Sequence, residues 1–167
     1  GCEITAKTKC SKVDMSAAVL SEANLSQGDL SGSNLRQTDL SGANLIYTDL
    51  READLTDANL TGADLMGADL HAANLQGADL KGANLYGVDL RGANLKGANL
   101  NSADLREAKL KGANLAGAKL DPKGIKIAKA SGAINVPEST VVVRKAPKVT
   151  PRTKPKPPVI AKVTPQK

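Results

Sequence analysis

The chain has 167 residues, 41% of them hydrophobic but only 1% aromatic, with two tyrosines and neither Phe nor Trp. Lys and Arg (23) outnumber Asp and Glu (17), for a formal charge of +6, yet no aromatics are interleaved with the bases, which argues against a nucleic-acid partner. One histidine and two cysteines leave no Ser-His-Asp set and no metal-ligand cluster, so neither catalysis nor a cofactor or metal site is expected.

Residues 1–15 read as an amino-terminal cap, in which Val13 and Met15 continue the downstream pattern imperfectly. Both cysteines, Cys2 and Cys10, fall inside it. A disulfide between them would point to an oxidising compartment; the other reading is two unrelated thiols in a cytosolic chain. The disulfide is the favoured reading. The sequence starts at Gly1, which fits a mature form whose leader has been removed.

From residue 16 to residue 121 one unit repeats. Leu stands at every fifth position from Leu20 to Leu120, preceded at most units by Asn or Asp and, two residues back, by a small residue such as Ala43, Ala63 or Ala118. A helix turns about 100° per residue, so five steps would scatter the leucines around its cylinder. A flat strand would place successive leucines on opposite faces. They converge only if the chain turns once per unit in a constant sense. Gly recurs two residues after Leu, as at Gly42, Gly62 and Gly92, where a corner requires it.

Units such as Ala63-Asp64-Leu65, Ala73-Asn74-Leu75 and Ala113-Asn114-Leu115 resemble those of the pentapeptide-repeat proteins. The resemblance implies an all-β fold, a right-handed quadrilateral β-helix with four units per coil and with Leu and the small residue facing inward. Twenty-one leucines then correspond to about five coils and a rod roughly 25 Å tall. Gly28, Ser33, Thr38, Thr48 and Val88 depart from Ala at the inward slot, and looser packing is expected in the early coils.

With four units per coil, residues twenty apart stack. One face then carries a charged ladder: Asp29, Asp49, Asp69, Asp89 and Lys109, beside Ser31, Arg51, His71, Arg91 and Lys111. The bases offset repulsion among the stacked carboxylates, and His71 reads as a member of that ladder. A second column, Ser26, Ile46, Met66, Tyr86 and Arg106, places Ile46, Met66 and Tyr86 in an apolar stripe with Tyr47 alongside. That stripe is the partner-surface candidate.

Asp121-Pro122 is a helix start, Asp as N-cap and Pro in the first turn. Residues 122–136 are read as a helical carboxyl-terminal cap, with Ile125, Ala128 and Ala130 facing the last coil and Gly132 near the stop. Residues 137–167 hold seven of the eight prolines and eight Lys and Arg against one acid, the composition of a disordered basic tail.

Two functions remain. The first is a non-enzymatic structural or scaffold solenoid that mediates protein interactions, binds a protein or envelope component and takes no small-molecule substrate. It would sit outside the cytosol, in the periplasm or thylakoid lumen, with the cytoplasm as the alternative, as a monomer or weak homodimer without a membrane span. The second borrows from family members that mimic DNA and bind a type II topoisomerase, gyrase. Residues 16–121 carry nine bases and fourteen acids, and with the basic ladder and tail they fit that reading poorly.

Overall fold

The computed structural model describes residues 5–138. Its backbone is held by single-residue parallel bridges, each linking a residue to the one twenty positions later, from Lys9 with Asp29 to Asn99 with Lys119. Four five-residue units therefore complete one coil, and each unit lies directly over its counterpart in the coil below.

Every backbone N–H of a unit in the interior of the stack has a partner, and the sequence explains each one. In one such unit, Leu40 donates to the carbonyl of Asn59 (2.7 Å) and Gly42 to that of Thr61 (3.0 Å) in the next coil. Asp39 donates back to Ala18 (2.9 Å), and Ala43 closes the corner on Leu40 (3.1 Å). The fifth, Ser41, donates to the Asp39 carboxylate at 3.0 Å. The same side-chain bond is made by every outward Asp or Asn from Asp14 to Asn114, for example Asp29, Asn59, Asp79 and Asn99. An unpaired N–H at each corner would cost about 1–3 kcal/mol, which is why Asp or Asn precedes the leucine so regularly. Asn side chains also donate across coils, as Asn59 does to Asp39 (3.0 Å) and Asn84 to Asp64 (2.9 Å).

The corners place one residue in the left-handed region at every fifth position from Lys7 to Gly117, with φ between 55° and 75°. Glycine is not obligatory there. Lys, Ala, Glu, Gln, Tyr, Asp and Ser fill the other corners, and none of these is β-branched. Each L-residue costs roughly 1–2 kcal/mol in that conformation, offset by the coil-to-coil bonds that begin and end at the corner.

Leu25 to Leu115 are buried to 2% exposure or less, with Ala43 to Ala98 beside them. Three of the early inward slots that depart from Ala are closed to solvent. Ser33, Thr38 and Thr48 are at most 1% exposed, and their hydroxyls donate to the carbonyls of Cys10 (3.0 Å), Met15 (2.9 Å) and Leu25 (2.9 Å). A hydroxyl in place of a methyl thus adds a tie to the coil below.

The coil register begins earlier than residue 16. Lys7 and Lys12 are corners, and Lys9 and Asp14 already bridge the next coil. Thr8, Cys10, Val13 and Met15 occupy the inward slots without any leucine, because the ladder is made by backbone groups.

Helix α1 spans Pro122–Ala130 and buries Gly124, Ile125 and Ala128 against the end of the stack. Asp121 caps it by accepting from the Gly124 N–H at 2.7 Å, with Pro122 in the first turn. At its far end the Ala133 N–H reaches the Ala128 carbonyl (3.1 Å), the Gly132 N–H reaches that of Lys129 (3.3 Å), and Gly132 has φ +77°. This is the paired closure that a left-handed glycine permits. Ala130, expected to face the last coil, is exposed. Buried positions 124, 125 and 128 span about 100° of the helix, and position 130 lies well outside that arc. After α1 the register resumes, as Ile134 bridges Asn114.

Candidate protein-interaction faces

On the face carrying Leu30, Leu50, Leu70 and Leu90, the carboxylates of Asp29, Asp49, Asp69 and Asp89 stand one above another through successive bridges, with Lys109 at the top. Arg51 folds back on its own unit, Nε to Asp49 Oδ1 at 2.9 Å and Nη2 to Oδ2 at 2.6 Å, while Nε also approaches Asp69 Oδ2 at 3.8 Å. Arg91 clasps Asp89 in the same way at 2.8 and 2.7 Å, and Lys109 Nζ lies 4.0 Å from Asp89. The hydrogen bonds from Arg51 and Arg91 hold the carboxyls of Asp49 and Asp89 below the usual carboxylate range, against the opposing effect of partial burial. Both guanidiniums are correspondingly raised by the same bonds. His71 is exposed, and its backbone N–H donates to Asp69 at 3.0 Å. Lys111 is exposed beside Gly132. The ladder residues are thus brought together, and each Arg neutralises an Asp of its own unit.

The next face carries the apolar column. Ile46 and Met66 are partly buried, Tyr86 is 41% exposed and Tyr47 60% exposed. Tyr47 sits at a corner with φ 55°, and its ring lies over Gly67 one coil above, in the space that a side chain at 67 would fill. Gly67 therefore serves both the corner and the tyrosine. The guanidinium of Arg106 lies 5.7 Å from the Tyr86 ring centroid while pairing with Asp104 at 2.6 Å. Both aromatic side chains of the chain thus stand on an outer wall, each with a neighbour packed against its ring.

Cys10 occupies an inward slot and is 3% exposed, and no free cysteine occurs among the described residues. Cys2 and the basic tail beyond residue 138 lie outside the described residues. Among the described residues no group of three or more His, Cys, Asp or Glu side chains could hold a metal ion. None of the described helices is long and apolar enough to cross a membrane.

The summed charge of the repeats conceals an uneven distribution along the rod, which begins with three bases, Lys7, Lys9 and Lys12. Between residues 13 and 90, three bases (Arg36, Arg51 and Lys81) face twelve acids. Between 91 and 130, nine bases face three acids, Asp104, Glu107 and Asp121. Counting charge coil by coil, rather than over the whole repeat region, makes this visible in the sequence.

The family model described as pentapeptide repeats matches in eight copies, over residues 6–37, 33–71, 63–101 and 83–121. A search of the curated proteins returns no match. Among solved structures, a pentapeptide repeat protein of the cyanobacterium Cyanothece is 42% identical, over 59% of this chain and 60% of that one, with a TM-score of 0.38. HetL of the cyanobacterium Nostoc, described as involved in regulating heterocyst differentiation, is 33% identical over 78% and 71% of the two chains, with a TM-score of 0.34. A pentapeptide repeat protein of the Arabidopsis thaliana thylakoid lumen is 34% identical over 57% and 74%, with a TM-score of 0.38.

Proposed function

Given that the chain belongs to the pentapeptide-repeat family, we propose that it is a non-enzymatic scaffold that binds a partner protein through Ile46, Tyr47, Met66 and Tyr86. One observation carries this reading. The two aromatic residues of the chain are both exposed, lie on one face beside Ile46 and Met66, and have Gly67 and Arg106 packed against their rings. Tyrosine is enriched among interface hot spots, because a large side chain ordered before binding loses little entropy on contact. The charged ladder on the neighbouring face supports this role indirectly: Asp49 and Asp89 are neutralised by Arg51 and Arg91 of their own units, so that part of the face acts as a wall rather than a docking strip.

The test is a photocrosslinking residue at position 66 of the full chain, expressed in its host, beside the same residue at exposed position 76 on the opposite wall. A discrete protein adduct from position 66, absent from position 76 and lost on Tyr86→Ala, is the expected result. Equal labelling from both walls would remove the stripe as the binding surface.

The scaffold is further proposed to act outside the cytosol, in the periplasm or thylakoid lumen, with Cys2 bonded to Cys10. Burial of Cys10 and the lack of a free cysteine among the described residues support the bond. Alkylation of the denatured but unreduced protein should leave both cysteines unlabelled, and recovery with two labelled thiols from a cytosolic fraction would sink this part. No observation favours the gyrase-directed DNA mimic, since the coils nearest α1 are basic.

A further inference from the structure

We propose that the carboxyl-terminal end of the rod docks on an anionic lipid surface, with α1 against the headgroups and the acidic coils directed away. Helix α1 places Lys123, Lys126 and Lys129 at three-residue spacing, so they fan over about 120° of the helix, opposite the buried Gly124, Ile125 and Ala128. All three are exposed, as are Lys109, Lys111 and Lys119 of the last coil. The acids at this end are few. Asp104 is held by Arg106 and Asp121 caps α1, which leaves Glu107 and Glu138 as the exposed carboxylates. Residues 139–167 add eight further bases and no acid, and the chain leaves the described structure beside Leu120, Pro122 and Ile125, at this same end.

Distance decides that the acidic coils do not cancel this patch. Coils are stacked about 4.8 Å apart, so those two or more below the last lie about 10 Å or more from α1. That is comparable to the Debye length of about 8–10 Å, and their repulsion is largely screened at the surface. Six lysines on and around an amphipathic helix match the kind of cluster that anionic bilayers attract. The chemistry favours lipid over nucleic acid. The patch is made of lysine point charges without aromatic side chains for stacking on bases, and its lysines lack the guanidinium fork that reads phosphate and base edges. Contact at one end of a rod with a surface also leaves the side walls free, so this inference does not rest on the Tyr86 stripe.

The full chain is to be co-sedimented at about 0.1 M salt with vesicles of phosphatidylglycerol and phosphatidylcholine in equal parts, and with vesicles of phosphatidylcholine alone. Two variants carry the same charge change at opposite ends: Lys123→Gln/Lys126→Gln/Lys129→Gln, and Lys7→Gln/Lys9→Gln/Lys12→Gln. All six positions are exposed, and unchanged melting of each variant confirms the fold. Binding to the anionic vesicles only, weakened on the order of a hundredfold by the first set and less than about threefold by the second, is the expected result. The arginine triple at 123, 126 and 129 should bind like the parent. The proposal is overturned if anionic vesicles are not bound, if the α1 variant binds like the parent, if both glutamine sets weaken binding equally, or if duplex DNA is bound more tightly than the vesicles.

Discussion

Thr48 and Val88 occupy the same inward slot two coils apart, both fully buried, one with a hydroxyl and one without. The Thr48 hydroxyl donates to the Leu25 carbonyl at 2.9 Å, and that carbonyl also accepts the Gly28 N–H at 3.1 Å. Thr48→Val fits the slot, as Val88 demonstrates, and removes only the hydroxyl bond. It should lower the unfolding free energy by about 1 kcal/mol in urea titration. An unchanged midpoint would mean that the buried hydroxyls of the early coils are tolerated rather than stabilising. Their presence was legible in the sequence, but their consequence was not. A polar residue at an apolar position suggests a gap until the carbonyl of the coil below is seen to receive it.

Helix α1 shows what an element contributes when the repeat must stop. Its cap rests on one carboxylate, so Asp121→Ala should destabilise the protein by about 1 kcal/mol. Because the helix covers only one end, hydrogen exchange at Leu115 and Ile134 should accelerate more than at Leu45; a uniform acceleration would show that the helix does not protect the end locally. Start and stop of α1 could be read from Asp121, Pro122 and Gly132, since capping is local chemistry. The return of the register at Ile134 could not. Ser131-Gly132-Ala133 repeats the start of a unit, as in Ser41-Gly42-Ala43, but Ile134-Asn135 stands where Asn-Leu would, and the bridge to Asn114 is made by backbone atoms that every residue carries. Residues 5–15 escaped the pattern for the same reason. The core reads from side chains, but the ladder does not.

At the scale of the whole rod, electrostatics sets the acid limit. Folding depresses the carboxyls of Asp49, Asp89 and Asp104 through their Arg51, Arg91 and Arg106 bonds. A group whose folded value lies below its unfolded value stabilises the fold at pH above the unfolded value, near 3.9. That stabilisation is lost as pH falls through the folded values. Melting temperature should therefore hold between pH ~5 and ~7 and drop below pH ~4. Arg51→Gln/Arg91→Gln should lower the melting temperature only slightly at neutral pH, since exposed pairs are weak, and should flatten the acid limb. A double variant with the parent's pH profile would assign the acid limit to other carboxylates.

The four-unit turn carries a consequence for how such a chain can change. Inserting one five-residue unit anywhere in the stack leaves every leucine inward and every corner intact, so the interior registers nothing. The outside does: everything downstream is rotated by a quarter-turn. An insertion between Met66 and Tyr86 would leave the hydrophobic interior filled and carry Tyr86 away from Ile46 and Met66 onto another wall. Only insertions of whole coils, twenty residues at a time, preserve the phase of all four walls. The surface pattern is thus guarded by an arithmetic to which the core is indifferent, and a length change that stability cannot detect can still erase a binding face.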